Sequence, residues 1–119
     1  MIQFREEQMP QFEAGVEEAF VQEQARRLRT DFPEELAANG VKGVELHDFV
    51  RAGMESARKH KFERRPLMMF YLDCTAILGP NFDTNPAHPW AGEILRRNDL
   101  IVESKADLLD QNLVFQPRV

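Results

Sequence analysis

The chain of 119 residues has one cysteine, one tryptophan, one tyrosine and three histidines, and its only serines are Ser56 and Ser104. A single thiol, Cys74, excludes an intramolecular disulfide and leaves a thiolate zinc site short of ligands. Neither serine sits in a GxSxG elbow, and no glycine-rich phosphate loop is present. His47, His60 and His88 are scattered and show no HExxH spacing, so no metal and no cofactor is expected. The longest apolar run falls well short of the roughly 18 residues a membrane helix needs, so no membrane partner is expected. Met1-Ile2-Gln3-Phe4-Arg5-Glu6-Glu7 has neither an apolar signal core nor a cleavage site, and a cytoplasmic location is the expectation. Cations are in the minority: 15 Lys and Arg against 20 Asp and Glu give a formal charge of −5, which argues against a nucleic-acid partner. Acidic residues surround both basic runs, Arg26-Arg27-Leu28-Arg29 and Arg58-Lys59-His60-Lys61. These read as solvated helix faces near C-termini, where cations complement the helix dipole.

What the chain does have is helical periodicity. With 43% hydrophobic and 29% charged residues, it has the balance of a single globular domain over 1–119, with a possible flexible tail at 115–119. A first helix is predicted over 9–28, with Pro10 in its first turn and Phe12, Val16, Ala19, Phe20 and Leu28 on its apolar stripe. Glu17, Glu18, Glu23 and Arg27 face water. Thr30 or Asp31 is placed to cap a short helix opened by Pro33 and closed by Asn39-Gly40. A third helix spans 44–60 with Leu46, Phe49, Val50, Gly53, Met54 and Ala57 on one face. There, Ala52, Gly53, Ser56 and Ala57 form a small-residue patch that admits a close neighbour. The pattern over 64–78 is apolar around much of its circumference, implying a central helix covered by others. Helices from Pro89 and over 101–112 follow. Strand signals are confined to 2–4 and 113–115. The expected architecture is all-α, a compact bundle of five to six helices.

Candidate chemistry is sparse. Asn81, Asp83 and Asn85 alternate as calcium-loop ligands do, but Pro86 stands where such a loop needs glycine and Gly92 where it needs glutamate. An Asx-type turn is the better reading. Glu45 with Asp48, or Asp73 with Asp83, can be drawn as acid and base, yet nothing distinguishes them from solvated charges. Two readings of Asp73 stay open: part of a polar stripe with Arg64, Arg65 or Thr75, or a buried carboxylate bonding the amides of the next loop. Cys74 reads as a buried small hydrophobe. No catalytic residues are assigned, and the chain is not expected to be an enzyme.

The stretch Leu78-Gly79-Pro80-Asn81-Phe82-Asp83, continued by Pro86 and Pro89-Trp90, carries more information than a plain linker. Phe82 and Trp90 fold the loop onto the core and staple the next helix, or they form an aromatic patch for a partner. On the second reading Phe82, Asp83, His88 and Trp90 are the partner-binding residues, and the partner is another protein. The sequence does not fix the oligomeric state.

The run Leu46-His47-Asp48-Phe49-Val50-Arg51-Ala52-Gly53-Met54-Glu55-Ser56-Ala57-Arg58-Lys59-His60-Lys61-Phe62, followed by the 78–83 stretch, Pro89-Trp90-Ala91 and Ile94-Leu95, resembles a family of small bacterial proteins. Members are encoded beside type VI secretion spike and effector genes and carry the pattern LGxxFDxxPxxPWaxxIL. The resemblance covers 46–95, with Met1-Ile2-Gln3-Phe4 as weaker support. The chain departs from the pattern at Lys61, after His60, where the family has glycine. The resemblance implies a non-catalytic accessory, a co-chaperone or adaptor that loads or stabilises an effector, its partner being the effector, the effector's chaperone or the spike protein. One alternative is an immunity protein that blocks a cognate toxin with its acidic face. Another is a small hydrolase using Asp83 and His88.

Overall fold

The computed structural model describes residues 14–115, and among these every regular element is helical. The order is α1 Ala14–Asp31, α2 Pro33–Ala38, a single 3₁₀ turn Gly43–Glu45, α3 Leu46–Lys59, α4 Arg65–Leu78, α5 Pro89–Leu95 and α6 Val102–Phe115. The all-α expectation holds. The segment 113–115, a candidate strand by composition, is the last turn of α6. The proposed start at Met9, Pro10, Phe12, the 2–4 strand and residues 116–119 lie outside the described residues, as does the side chain of Val16.

α1 runs through Asp31, three residues beyond the expected end. That extension removes Thr30 and Asp31 as caps for α2. The Thr30 hydroxyl instead donates back to the Arg26 carbonyl at 3.0 Å, and Phe32 takes the N-cap position with no side-chain bond. The buried stripe of α1 is Phe20, Val21, Gln24, Ala25 and Leu28, whereas Ala19 points outward. The acidic face is not simply solvated. Glu17 meets Arg58 at 2.9 Å, Glu18 meets Arg51, and Glu23 meets Arg65 at 2.8 Å, so ion pairs lace α1 to α3 and α4.

Arg27 departs furthest from expectation, since it turns inward. Its Nη1 donates to Asp73 at 2.7 Å and its Nε to Gln24 at 2.7 Å. Asp73 therefore joins neither the polar stripe nor the following loop; it anchors α4 to α1. Burial pushes its carboxyl above the usual range despite the opposing Arg27 guanidinium. The amide nitrogen of Gln24 lies beside this pair, fully buried and without a hydrogen-bond partner.

Two helix ends share one backbone solution. After α2, Val41 N donates to Leu36 O at 2.9 Å and Gly40 N to Ala37 O at 3.0 Å, with Gly40 at φ +73°. After α3, Phe62 N donates to Ala57 O at 2.9 Å and Lys61 N to Arg58 O at 3.0 Å, with Lys61 at φ +69°. Both are Schellman endings, which need a left-handed residue just past the helix. Lys61 thus occupies a glycine position, and a left-handed L-residue costs about 1–2 kcal/mol. Part of that is offset because glycine loses more entropy on folding. Lys61→Gly is expected to stabilise the protein by roughly 1 kcal/mol, read as a higher urea midpoint at unchanged m-value.

α4 packs against α1, α2, α3 and α6. Its contact with α3 is close because Gly53 has no side chain: a Cβ there would stand 2.7 Å from Leu72 Cδ2. The small-residue patch on α3 is thus used for helix packing at Gly53. Phe62 and Phe82 close on Tyr71, with ring centroids at 5.3 and 4.9 Å, and all three are buried. α5 and α6 pack together beyond the loop, and Lys105 Nζ donates to the Leu95 carbonyl at 2.9 Å, satisfying the end of α5.

Candidate functional site

Helical spacing places Asp48, Ala52 and Ser56 in one row along α3 and Glu45, Phe49 and Gly53 in the row beside it. Facing them are the end of α2, at Asn39, Gly40 and Val41, and the loop residues Pro80, Asn81 and Phe82. Tyr71 and Thr75 of α4 form the floor, and the walls enclose a groove of about 410 Å³. That volume lies in the range of pockets that accept a ligand or a few side chains.

The far wall is set by backbone chemistry. Asn39 Nδ2 donates to the Ala76 carbonyl and the Glu35 carbonyl, both at 3.0 Å, tying the end of α2 to the end of α4. Gly79 leaves α4 at φ +104°, and a Cβ there would stand 2.9 Å from Asn39 Oδ1. Asn81 is also left-handed, at φ +60°. The chain then turns sharply, with Thr84 N donating to Asn81 O at 3.1 Å. Asn85 Oδ1 accepts from the Ala87 amide at 2.9 Å, the Asx turn expected in place of a calcium loop.

Beneath the groove lies a polar and aromatic cluster. Ser56 Oγ and Tyr71 Oη share a hydrogen bond of 2.8 Å, and Thr75 Oγ1 donates to the Tyr71 carbonyl at 2.9 Å. Burial, reinforced by the nearby Asp83 charge, pushes the Tyr71 phenol well above its ordinary range, and the Ser56 bond only partly opposes this. Tyr71 therefore stays neutral, a hydrogen-bonding wall and not an acid–base group. Burial also pushes the Cys74 thiol far up, which fits a packing role and not a nucleophile.

The sequence-derived site residues divide into two pairs. Phe82 is 1% exposed and Asp83 8% exposed, so both are turned inward, although Phe82 lines the groove. His88 and Trp90 are half-exposed, their rings edge to face at 6.3 Å, and Trp90 packs partly on the core. Asp83 does not cap loop amides and does not meet His88. Its Oδ2 lies 2.9 Å from His60 Nε2, and the His60 ring stacks over Tyr71 at 6.1 Å. Of the two residues named for the hydrolase alternative, Asp83 bonds His60 and His88 packs its ring against Trp90. Of the two carboxylate pairs drawn from the sequence, Glu45 and Asp48 both line the groove. Asp73 is bound by Arg27 and Asp83 by His60, each within its own separate hydrogen bond.

Sequence reasoning passed over His60 and the groove. The available signal was the i, i+4 spacing of Ser56 and His60, which sets His60, the residue that caps the end of α3, one turn beyond Ser56. Among the described residues no three His, Cys, Asp or Glu side chains are grouped to hold a metal, and no helix is long and apolar enough to cross a membrane. Compared with protein-family models, curated proteins and solved structures, the chain matches none.

Proposed function

We propose that this chain is a non-catalytic protein-binding accessory, a co-chaperone or adaptor that assists loading or stabilisation of a type VI secretion effector in the cytoplasm before export. The observation that carries the reading is the groove between α3 and the 79–82 loop. Its lining combines the aromatic residues Phe49, Tyr71 and Phe82 with the small residues Ala52 and Gly53, the composition that receives anchor side chains from another protein. The Ser56 and Tyr71 hydroxyls are committed to each other, the Thr75 hydroxyl to the Tyr71 carbonyl, and the His60 imidazole to Asp83. That arrangement supports binding over nucleophilic chemistry. The family resemblance over 46–95 supplies the biological setting.

Ala52 is exposed on α3 and lines the groove, so Ala52→Arg fills the groove from outside with no core residue altered. Co-expressed with the products of its neighbouring genes, the wild-type chain is expected to co-purify with the effector or its spike protein. Ala52→Arg, with an unchanged circular dichroism spectrum, is expected to lose that complex and lower effector secretion. An unchanged complex with Ala52→Arg would remove the groove from the account. Binding to the toxin domain alone, with protection of cells from it, would establish the immunity alternative instead.

A further inference from the structure

Resting on the groove as the protein-binding site, we propose that its occupant is a basic amphipathic helical segment of the partner. An apolar anchor side chain of that segment sits over Ala52, Gly53 and Phe82, and a neighbouring Lys or Arg meets Asp48 and Glu45. The argument is one of charge and size. Among the described residues, every charged side chain lining the groove is acidic, and no Lys, Arg or His lines it. The two carboxylates are also poorly neutralised within the chain. Asp48 has a 3.4 Å contact with Arg51, whose guanidinium is engaged by Glu18. Glu45 accepts only a 3.5 Å bond from the Lys42 amide.

Most other surface acids near α1 fare differently: Glu17, Glu18 and Glu23 each hold an arginine of another helix. Glu45 and Asp48 are therefore the acids left available at the edge of an apolar depression. A volume of about 410 Å³ suits one or two large side chains and not a whole helix. The distance along α3 from Asp48 to Ala52 and Gly53 is about one turn, roughly 6 Å at 1.5 Å per residue. A partner helix presenting an apolar residue and a cation one turn apart has the same spacing.

The test uses two defined 14-residue helical peptides and the full chain labelled with ¹⁵N. One peptide has leucines at i, i+3, i+4 and i+7 flanked by lysines; the other has glutamates in place of every lysine. The lysine peptide is expected to shift the amides of Ala52, Gly53, Ser56 and Thr75, and the glutamate peptide to leave them unmoved. Glu45→Gln with Asp48→Asn should weaken lysine-peptide binding about five- to tenfold at low salt, and the difference should shrink as salt rises. Neutralising two distant exposed acids, Glu93→Gln with Asp107→Asn, should change it less than twofold. Equal binding of both peptides, an unaffected Glu45/Asp48 variant, or shifts mapping away from the groove would each overturn the inference. A natural complex that is lost with Ala52→Arg but survives neutralisation of Glu45 and Asp48 would keep the accessory role and reject the cationic occupant. Survival with Ala52→Arg would reject the site itself.

Discussion

Gly92→Ala is expected to destabilise the protein by about 1–3 kcal/mol, the overpacking range for a well-packed site. The sign is what makes the result informative. In an ordinary helix interior, alanine is better than glycine by nearly 1 kcal/mol. At Gly92 a Cβ would collide with the backbone carbonyl of Asp83 and stand 2.7 Å from Arg96 Nη1. The arginine can swing aside, but the carbonyl cannot. Asp83 is held by His60 at its carboxylate, and its carbonyl accepts from Arg96 at 3.4 Å. A thermal or urea unfolding curve shifted to higher stability would show that α5 does not ride against the loop in this way.

Phe82→Ala carries the other large effect. The ring is 1% exposed and lies 4.9 Å from Tyr71, and removing it deletes a buried aromatic from the middle of the core. A loss of about 3–5 kcal/mol is expected, about a fifth or more of the stability of a typical domain, which is about 5–15 kcal/mol. Trp90→Ala is the natural comparison, because its ring is only half-buried. It should cost distinctly less in the same denaturation experiment. Comparable losses for the two would mean that Trp90 is as much a core residue as Phe82.

The helices were legible because periodicity is local. Leu46, Val50, Met54 and Ala57 announce the buried face of α3, and all four are buried. The breaks at Asn39-Gly40 and at Pro89 were equally readable, since left-handed glycine and first-turn proline are properties of the residue itself. Partner choice is a different kind of information. Arg27 looked like a solvated cation because it shares a face with glutamates, yet it reaches Asp73, 46 residues away. Asp83 sits five residues from His88 but bonds His60, 23 residues upstream. A repeat of 3.6 residues says which way a side chain points and nothing about what meets it there. The groove shows the same limit. Ala52, Gly53 and Ser56 were recognisable as small, but only the packed structure tells them apart: all three line the groove, and Gly53 alone also gives α4 its close approach.

Asp83 ties together three parts of the molecule that are distant in sequence. Its carboxylate is fixed by the end of α3, its carbonyl rests on α5, and its neighbour Phe82 is sunk against α4. Surface connections normally tolerate insertions and deletions because their ends alone are fixed. Here the middle is fixed as well. One residue added before Asp83 would pull it from His60 or lift Phe82 out of the core, and one removed after it would drag Pro89 from the first position of α5. The count of residues from Gly79 to Pro89 is thus as much a part of the fold as their identities.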